Sequence, residues 1–182
     1  MPKPKLIYSM SVSLDGYIKG PDGTFDWSMP SEEEHRVHNE RVGELSAHLC
    51  GRRLYETMRF WDTPEATSSE DPVMREFAAI WRALPKIVFS RTLTSVEGRN
   101  WRLATRDVEA ELAELDGEVE VGGAGLAAEC ARRGLIDEYR PFIKPFVVGG
   151  GTPYYAAPAD LRLLDTRTFS DGAVYLRLAR AV

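Results

Sequence analysis

The sequence is poor in cysteine: its 182 residues contain two, Cys50 and Cys130, eighty positions apart. That excludes a disulfide framework, and the expectation is two free, buried thiols in a reducing compartment. Long apolar runs are missing as well. The basic start Met1-Pro2-Lys3-Pro4-Lys5 leads into a run of only about ten residues that contains serines, too short and too polar for a signal peptide or a membrane span. The expectation is a cytoplasmic chain with no membrane partner. Excess positive charge is also lacking. A formal net charge of −5 excludes a general nucleic-acid binder, which needs a basic face, but leaves room for a local basic pocket around a phosphorylated ligand. Several catalytic signatures are absent: no Gly-x-Ser-x-Gly elbow, no Walker loop and no Cys-x-x-Cys. His35 and His38 lie three apart on an expected helix, but no third ligand stands at a recognisable spacing, so no metal site is expected.

What is present is an ordinary globular balance, 43% hydrophobic and 28% charged, in one domain spanning residues 1–182. Residues 5–14 alternate and are β-branched, which predicts a strand, and the Gly/Pro/Asp-rich stretch 15–23 predicts a long loop. Ser31-Glu-Glu-Glu34 fits a capping box opening a helix to about residue 47, its three glutamates reading as a solvated helix start. A short strand ends at Leu49-Cys50, and Gly51 leads into a helix from Arg52 to about Phe60. Residues 61–71 read as loop and 72–83 as a helix with Pro72 in its first turn. Strands are expected at 86–90, 100–103 and 118–121, with helices at 108–115 and from the Gly122–Gly125 turn to Arg133. Residues 137–148 read as one long strand whose Pro141 and Pro145 suggest an edge or a bulge. An antiparallel hairpin, 161–169 with 173–181, ends the chain. The sum is a three-layer α/β/α fold around a mixed, mostly parallel sheet.

Two segments share one design, in which a strand ends in glycine and a helix starts at once: Gly51-Arg52-Arg53 and Gly122-Gly123-Ala124-Gly125. Free N–H groups and the positive end of the helix dipole favour an anion there, and glycine lets a phosphate approach the backbone. Arg52 or Arg53 would add a charge-assisted bond. Ser90-Arg91-Thr92, directly after a strand, suits a phosphate on an adenosine ribose. Gly123-x-Gly125-x-x-Ala128 fits the dinucleotide fingerprint, but it falls late in the chain and no acidic residue ends a following strand, which disfavours a Rossmann domain. Ser13-Leu14-Asp15-Gly16 puts a carboxylate where the first strand runs out, able to anchor a polar substrate or assist proton delivery, or merely to cap a turn. Asp26-Trp27 is a second substrate candidate.

In this order the pieces resemble the dihydrofolate-reductase-like superfamily, specifically the reductase domain of bacterial riboflavin biosynthesis and its stand-alone relatives. The resemblance rests on Ser13-Leu-Asp-Gly-Tyr-Ile18, Gly20-Pro-Asp-Gly23, Asp26-Trp27, Gly51-Arg-Arg-Leu-Tyr-Glu56, Val88-Phe-Ser-Arg-Thr-Leu93, Val121-Gly-Gly-Ala-Gly-Leu126, Gly134-Leu-Ile-Asp-Glu138 and Pro145 through Tyr154. It implies a sheet of about eight strands with NADPH across its carboxyl edge, and commonly a homodimer, for which the strand at 139–148 is the candidate surface. It implies that Gly51, Arg52 and Arg53 meet cofactor phosphates, that Ser90 and Arg91 meet the adenosine end, and that Gly122, Gly123, Ala124, Gly125 and Leu126 meet the pyrophosphate. Asp15 would be the catalytic residue, facing substrate with Ser13, Asp26 and Trp27. The implied reaction resembles that of 5-amino-6-(5-phosphoribosylamino)uracil reductase, with hydride passing to a C=N or C=O carbon.

Leu54 departs from the family pattern, which usually has threonine there, and no zinc deaminase motif precedes the reductase segment. Two other readings stay open, a dihydrofolate reductase proper and a non-catalytic nucleotide-binding protein. The first expects a buried carboxylate on the first helix.

Overall fold

The computed structural model describes residues 3–181. The chain runs β1 (Lys5–Tyr8), β2 (Ser11–Ser13), β3 (Tyr17–Lys19), α1 (Glu32–Gly43), β4 (Ala47–Gly51), α2 (Arg52–Met58), α3 (Pro64–Thr67), α4 (Pro72–Ala83), β5 (Lys86–Phe89), β6 (Trp101–Leu103), α5 (Val108–Leu112), β7 (Glu118–Gly122), α6 (Ala124–Arg132), β8 (Glu138–Tyr139), β9 (Phe142–Lys144), β10 (Thr152–Pro153), β11 (Leu161–Thr168) and β12 (Val174–Arg180).

β1, β4, β5, β6 and β7 pair in parallel in the order β1-β7-β4-β5-β6. Beyond β1 lie β8 and then β12, which runs antiparallel and carries β11 on its outer side. β2 and β9 continue β1 and β8 as second segments, paired with each other in parallel. The mostly parallel sheet with a closing antiparallel hairpin is as the sequence predicts. β3 and β10 form a separate two-stranded ribbon.

The strand expected over 5–14 is broken at Ser9-Met10, and the one expected over 137–148 is broken at Arg140-Pro141 and ends at Lys144. Pro141 has no N–H to donate toward β12, where its carbonyl accepts from Leu176 N, while Arg140 N and Phe142 N on either side of it reach Tyr8 O and Met10 O. The second strand is also internal, between β1/β2 and β12, rather than the edge its prolines suggested.

Alternating side chains divide the core between the two faces of the sheet. Leu6, Tyr8, Leu49, Val119 and Val121 pack under α5 and α6, whereas Ile7, Cys50 and Val88 pack under α1, α2 and α4 with Trp81 and Phe77. Local chemistry sets the helix starts. Ser31 and Glu34 form a reciprocal capping box, Asp71 caps α4 with Pro72 in its first turn, and Asp107 caps α5. α1 ends at Gly43, one turn earlier than expected, because Ala47 already belongs to β4. The expected loop 61–71 contains the end of a 3-10 turn and α3, which Thr63 caps.

Candidate functional site

β4 and β7 are neighbours with Cys50 opposite Gly122, so their terminal glycine turns meet at the carboxyl edge of the sheet. A Cβ on Gly123 would lie 3.2 Å from both Cα and N of Gly51, and Gly123 has φ 95°, a conformation that suits glycine and strains other residues. Gly123 is also the N-cap of α6, and no side chain caps it. The first amides of α6 are therefore left for another acceptor. A Cβ on Gly125 would meet nothing within 4 Å, which marks open space over the helix start. Leu126 points the other way: it is buried and packs against Gly51, so its side chain belongs to the core. Leu54, where the family pattern has threonine, fills the space beside Gly122.

β5 ends beside β4 with Phe89 opposite Gly51, which brings Ser90 and Arg91 to the same edge. The Ser90 hydroxyl accepts from the amides of Thr92 (3.2 Å) and Leu93 (3.0 Å) and so shapes the turn. Arg52 Nη1 donates to Thr92 Oγ1 at 2.8 Å, while its Nε donates to Glu56 at 2.7 Å. Arg53 and Arg91 are exposed. Thr92 is thus the unforeseen link between the two arginine-bearing turns.

The second half of the candidate site lies above β1. Asp15 Oδ1 accepts from Ser13 Oγ (2.6 Å) and Val148 N (3.2 Å), and Oδ2 accepts from Gly149 N (2.8 Å). The Ser13 hydroxyl and those two amides hold the carboxyl below its usual pKa despite some desolvation. Asp15 is therefore ionised at neutral pH and sits as an acceptor, which does not suit a proton donor. Trp27 stacks on Phe146 with ring centroids 5.9 Å apart and planes 2° apart. Asp26 begins the 3-10 turn that carries Trp27 and is exposed. Tyr154 joins this region to the sheet. Its amide donates to Gly16 O and its hydroxyl to Tyr8 O at 2.7 Å, and Tyr8 is opposite Val121 in β7.

Two buried polar clusters beside these loops escaped the sequence reading. Glu34 is fully buried, and Lys144 bridges it at 2.5 Å and Asp171 at 3.4 Å. The solvated helix start expected of Glu32–Glu34 is corrected for this residue. It caps α1 and also neutralises a lysine that β9 brings inside. Behind Gly122, the His48 ring lies between Cys50 Sγ (3.1 Å) and Glu120 (3.5 Å). Burial works against its charge, but Cys50 and Glu120 outweigh that and raise its pKa to about 10. No spacing motif announces the first cluster, which joins α1, β9 and the turn before β12; in the second, His48 and Cys50 stand two apart on β4, and only Glu120 comes from another strand, β7. Among the described residues no group of three His, Cys, Asp or Glu could hold a metal ion, and no helix is long and apolar enough to cross a membrane.

This sheet, with its helix-starting glycine turns on one edge, defines a dihydrofolate-reductase-like α/β domain. Within that class the chain belongs to the RibD C-terminal domain family, whose family model matches residues 4–175. Over 179 residues it is 26% identical to the uncharacterized protein YyaP of Bacillus subtilis (strain 168), covering 94% of this chain and 93% of that one. Solved structures of the same fold include a protein of Shewanella sp. PV-4 described under riboflavin biosynthesis (TM-score 0.74, 20% identity, 98% of this chain and 99% of that one). A second is the diaminohydroxyphosphoribosylaminopyrimidine deaminase/5-amino-6-(5-phosphoribosylamino)uracil reductase of Thermotoga maritima (0.67, 18%, 98% and 57%). A third is the Enterococcus faecalis dihydrofolate reductase complexed with NADP(H) and RAB-propyl (0.63, 16%, 99% and 98%).

Proposed function

We propose that the protein is a cytoplasmic, NADPH-dependent reductase acting on a C=N or C=O carbon of a small heterocyclic substrate. The observation that carries this reading is the pair of glycine turns in mutual contact, with uncapped amides at the start of α6 and open space beside Gly125. That cradle fits a pyrophosphate. Gly122 to Gly125 would hold it through backbone amides, with Gly51, Arg52 and Arg53 on the facing turn. Ser90 and Arg91, joined to Arg52 through Thr92, would take the adenosine end and its extra phosphate. The family membership and the NADP(H) complex of the Enterococcus faecalis enzyme support the choice of cofactor.

NADPH, when bound, supplies the hydride. The chain's own residues orient the substrate and limit water around it. Asp15, kept ionised by Ser13 and the amides of Val148 and Gly149, fixes the 146–149 loop against the end of β2. It retains acceptor capacity for a substrate N–H. The two cysteines, both buried and free, suit a reducing compartment.

A folate reductase proper is the second reading, since α1 does carry a buried acid. That acid, Glu34, is engaged at Oε2 by Lys144 and by the Ser31 amide, with Oε1 buried and unpartnered, and its place in the capping box favours a structural part for it. A homodimer also belongs to the proposal.

Titration with NADPH, read by fluorescence of the four tryptophans, tests the cofactor half. NADPH should bind more tightly than NADH, and Arg91→Ala should shrink that gap about tenfold through loss of a charge-assisted contact. A ratio unchanged by the substitution places recognition of the 2′-phosphate elsewhere. Asp15→Asn should lower kcat/KM by about tenfold or more while NADPH affinity holds. Loss of cofactor affinity in that variant would instead mark Asp15 as part of the binding scaffold.

A further inference from the structure

We propose that the substrate of this site is a flat, uncharged or cationic ring that carries no phosphate, seated on an apolar shelf formed by Leu14, Trp27, Phe146 and Val147. This rests on the reductase reading above and narrows its substrate class. Among the described residues eight large apolar side chains stand exposed, and five of them, Leu14, Phe25, Met29, Phe146 and Val147, belong to the two loops around Asp15. Leu14 is 65% exposed and Val147 62%, values that solvent-facing loops seldom need unless something covers them. The loops are joined: Leu14 N donates to Phe146 O at 2.7 Å, and Trp27 stacks on Phe146. The Trp27 indole N–H is buried with no acceptor, a polar group the protein alone leaves unsatisfied.

Charge decides what kind of ring fits. The segment 14–29 carries Asp15, Asp22 and Asp26 against one lysine, Lys19, and 146–153 carries no charge. Lys19 lies over the Phe25 ring, 5.2 Å from its centroid. Lys144, opposite Ser13 in the sheet, is taken by Glu34 and Asp171. A phosphate at this mouth would meet three carboxylates, Asp15, Asp22 and Asp26, against Lys19 as the one cation without a carboxylate partner, so the local balance is negative. Arg52, Arg53 and Arg91 follow β4 and β5, two and three strands from β1, or about 10–15 Å at the usual strand spacing, and they serve the cofactor. A ring bearing amino or imino N–H groups would satisfy the free acceptor capacity of Asp15 and cover the shelf with its faces.

A matched pair of ligands tests this: 5-amino-6-(5-phosphoribosylamino)uracil and the same compound without its phosphate, titrated calorimetrically into the protein without cofactor. The dephosphorylated compound should bind at least about tenfold more tightly. Phe146→Ala should weaken it, and Val147→Lys or Leu14→Lys, at exposed positions that spare the core, should restore affinity for the phosphorylated one. The inference is overturned by tighter binding of the phosphorylated compound, or by no binding of either at millimolar concentration. It is equally overturned by a Leu14→Lys variant that turns a dimer into monomers without changing ligand affinity, since the shelf would then be an interface between copies. A separate NADPH titration keeps the two readings apart, because failure there removes the reductase reading whatever the ring does.

Discussion

Gly123 has a positive φ and the Gly51 backbone tight against the place of a methyl group, a contact set by two strands that end side by side. Gly123→Ala places a Cβ 3.2 Å from the Gly51 backbone at φ 95°, and the backbone conformation alone costs about 1–3 kcal/mol. The expected result is a fall of several degrees in Tm together with loss of NADPH binding, read by thermal unfolding and fluorescence titration. Gly125→Ala is the control, since its Cβ meets nothing within 4 Å. It should leave Tm nearly unchanged and weaken only the cofactor, because the methyl group enters the space a phosphate would use. At this scale the sequence was informative where one residue type answers to one backbone need, as with the glycines and the Ser31 capping box. It was silent on partners. That Asp15 would spend its oxygens on Ser13 and the amides of Val148 and Gly149 depends on a loop more than 130 positions away, and no local pattern encodes that.

Elements were legible where periodicity and punctuation agree, as for α4 behind Asp71-Pro72 and for β4 and β7 before their glycines. Errors came where a tertiary partner decides. Pro141 lies at the break between β8 and β9, and the facing strand, whose own sequence alternates without interruption, is broken at Ser9-Met10, where the Ser9 hydroxyl donates to the Arg140 carbonyl. α1 likewise looks solvated at its start until β9 delivers Lys144 beneath it. That pair joins α1, β9 and the turn before β12, and its energetics are testable. Lys144→Met leaves Glu34 buried with an uncompensated charge, a loss of about 3–5 kcal/mol. Glu34→Gln combined with Lys144→Met should recover much of it, because the double variant keeps the volume and removes the charge. Urea unfolding midpoints of Glu34→Gln, Lys144→Met and the double variant check the sign of the coupling. Additive losses would show that the two side chains act independently.

For the whole molecule, the sheet topology determines where a second copy can sit. Of the stretch 139–148, the candidate surface on sequence grounds, Tyr139 and Phe142–Lys144 lie in strands with partners on both sides, so their edges are taken, while Phe146 and Val147 beyond them are exposed. β2 and β6 are short outer strands, and the longest outer strand is β11, eight residues paired on one side only, with a register shift between Leu163 and Asp165 and with Leu163 and Leu164 exposed. A long exposed edge of this kind invites a further strand. Its charges, Arg162, Asp165 and Arg167, alternate in sign, so two copies of the strand brought together antiparallel about a twofold axis can oppose unlike charges. We therefore propose that a homodimer would form through β11. Light scattering should give twice the mass of 20.4 kDa, and Leu163→Lys, which places like charges on both sides of a twofold contact, should shift the population to monomer without altering NADPH affinity, because β11 lies on the far side of β12, β8 and β1 from the glycine turns. A monomer at high protein concentration removes the claim. A dimer indifferent to Leu163→Lys moves the interface to another face.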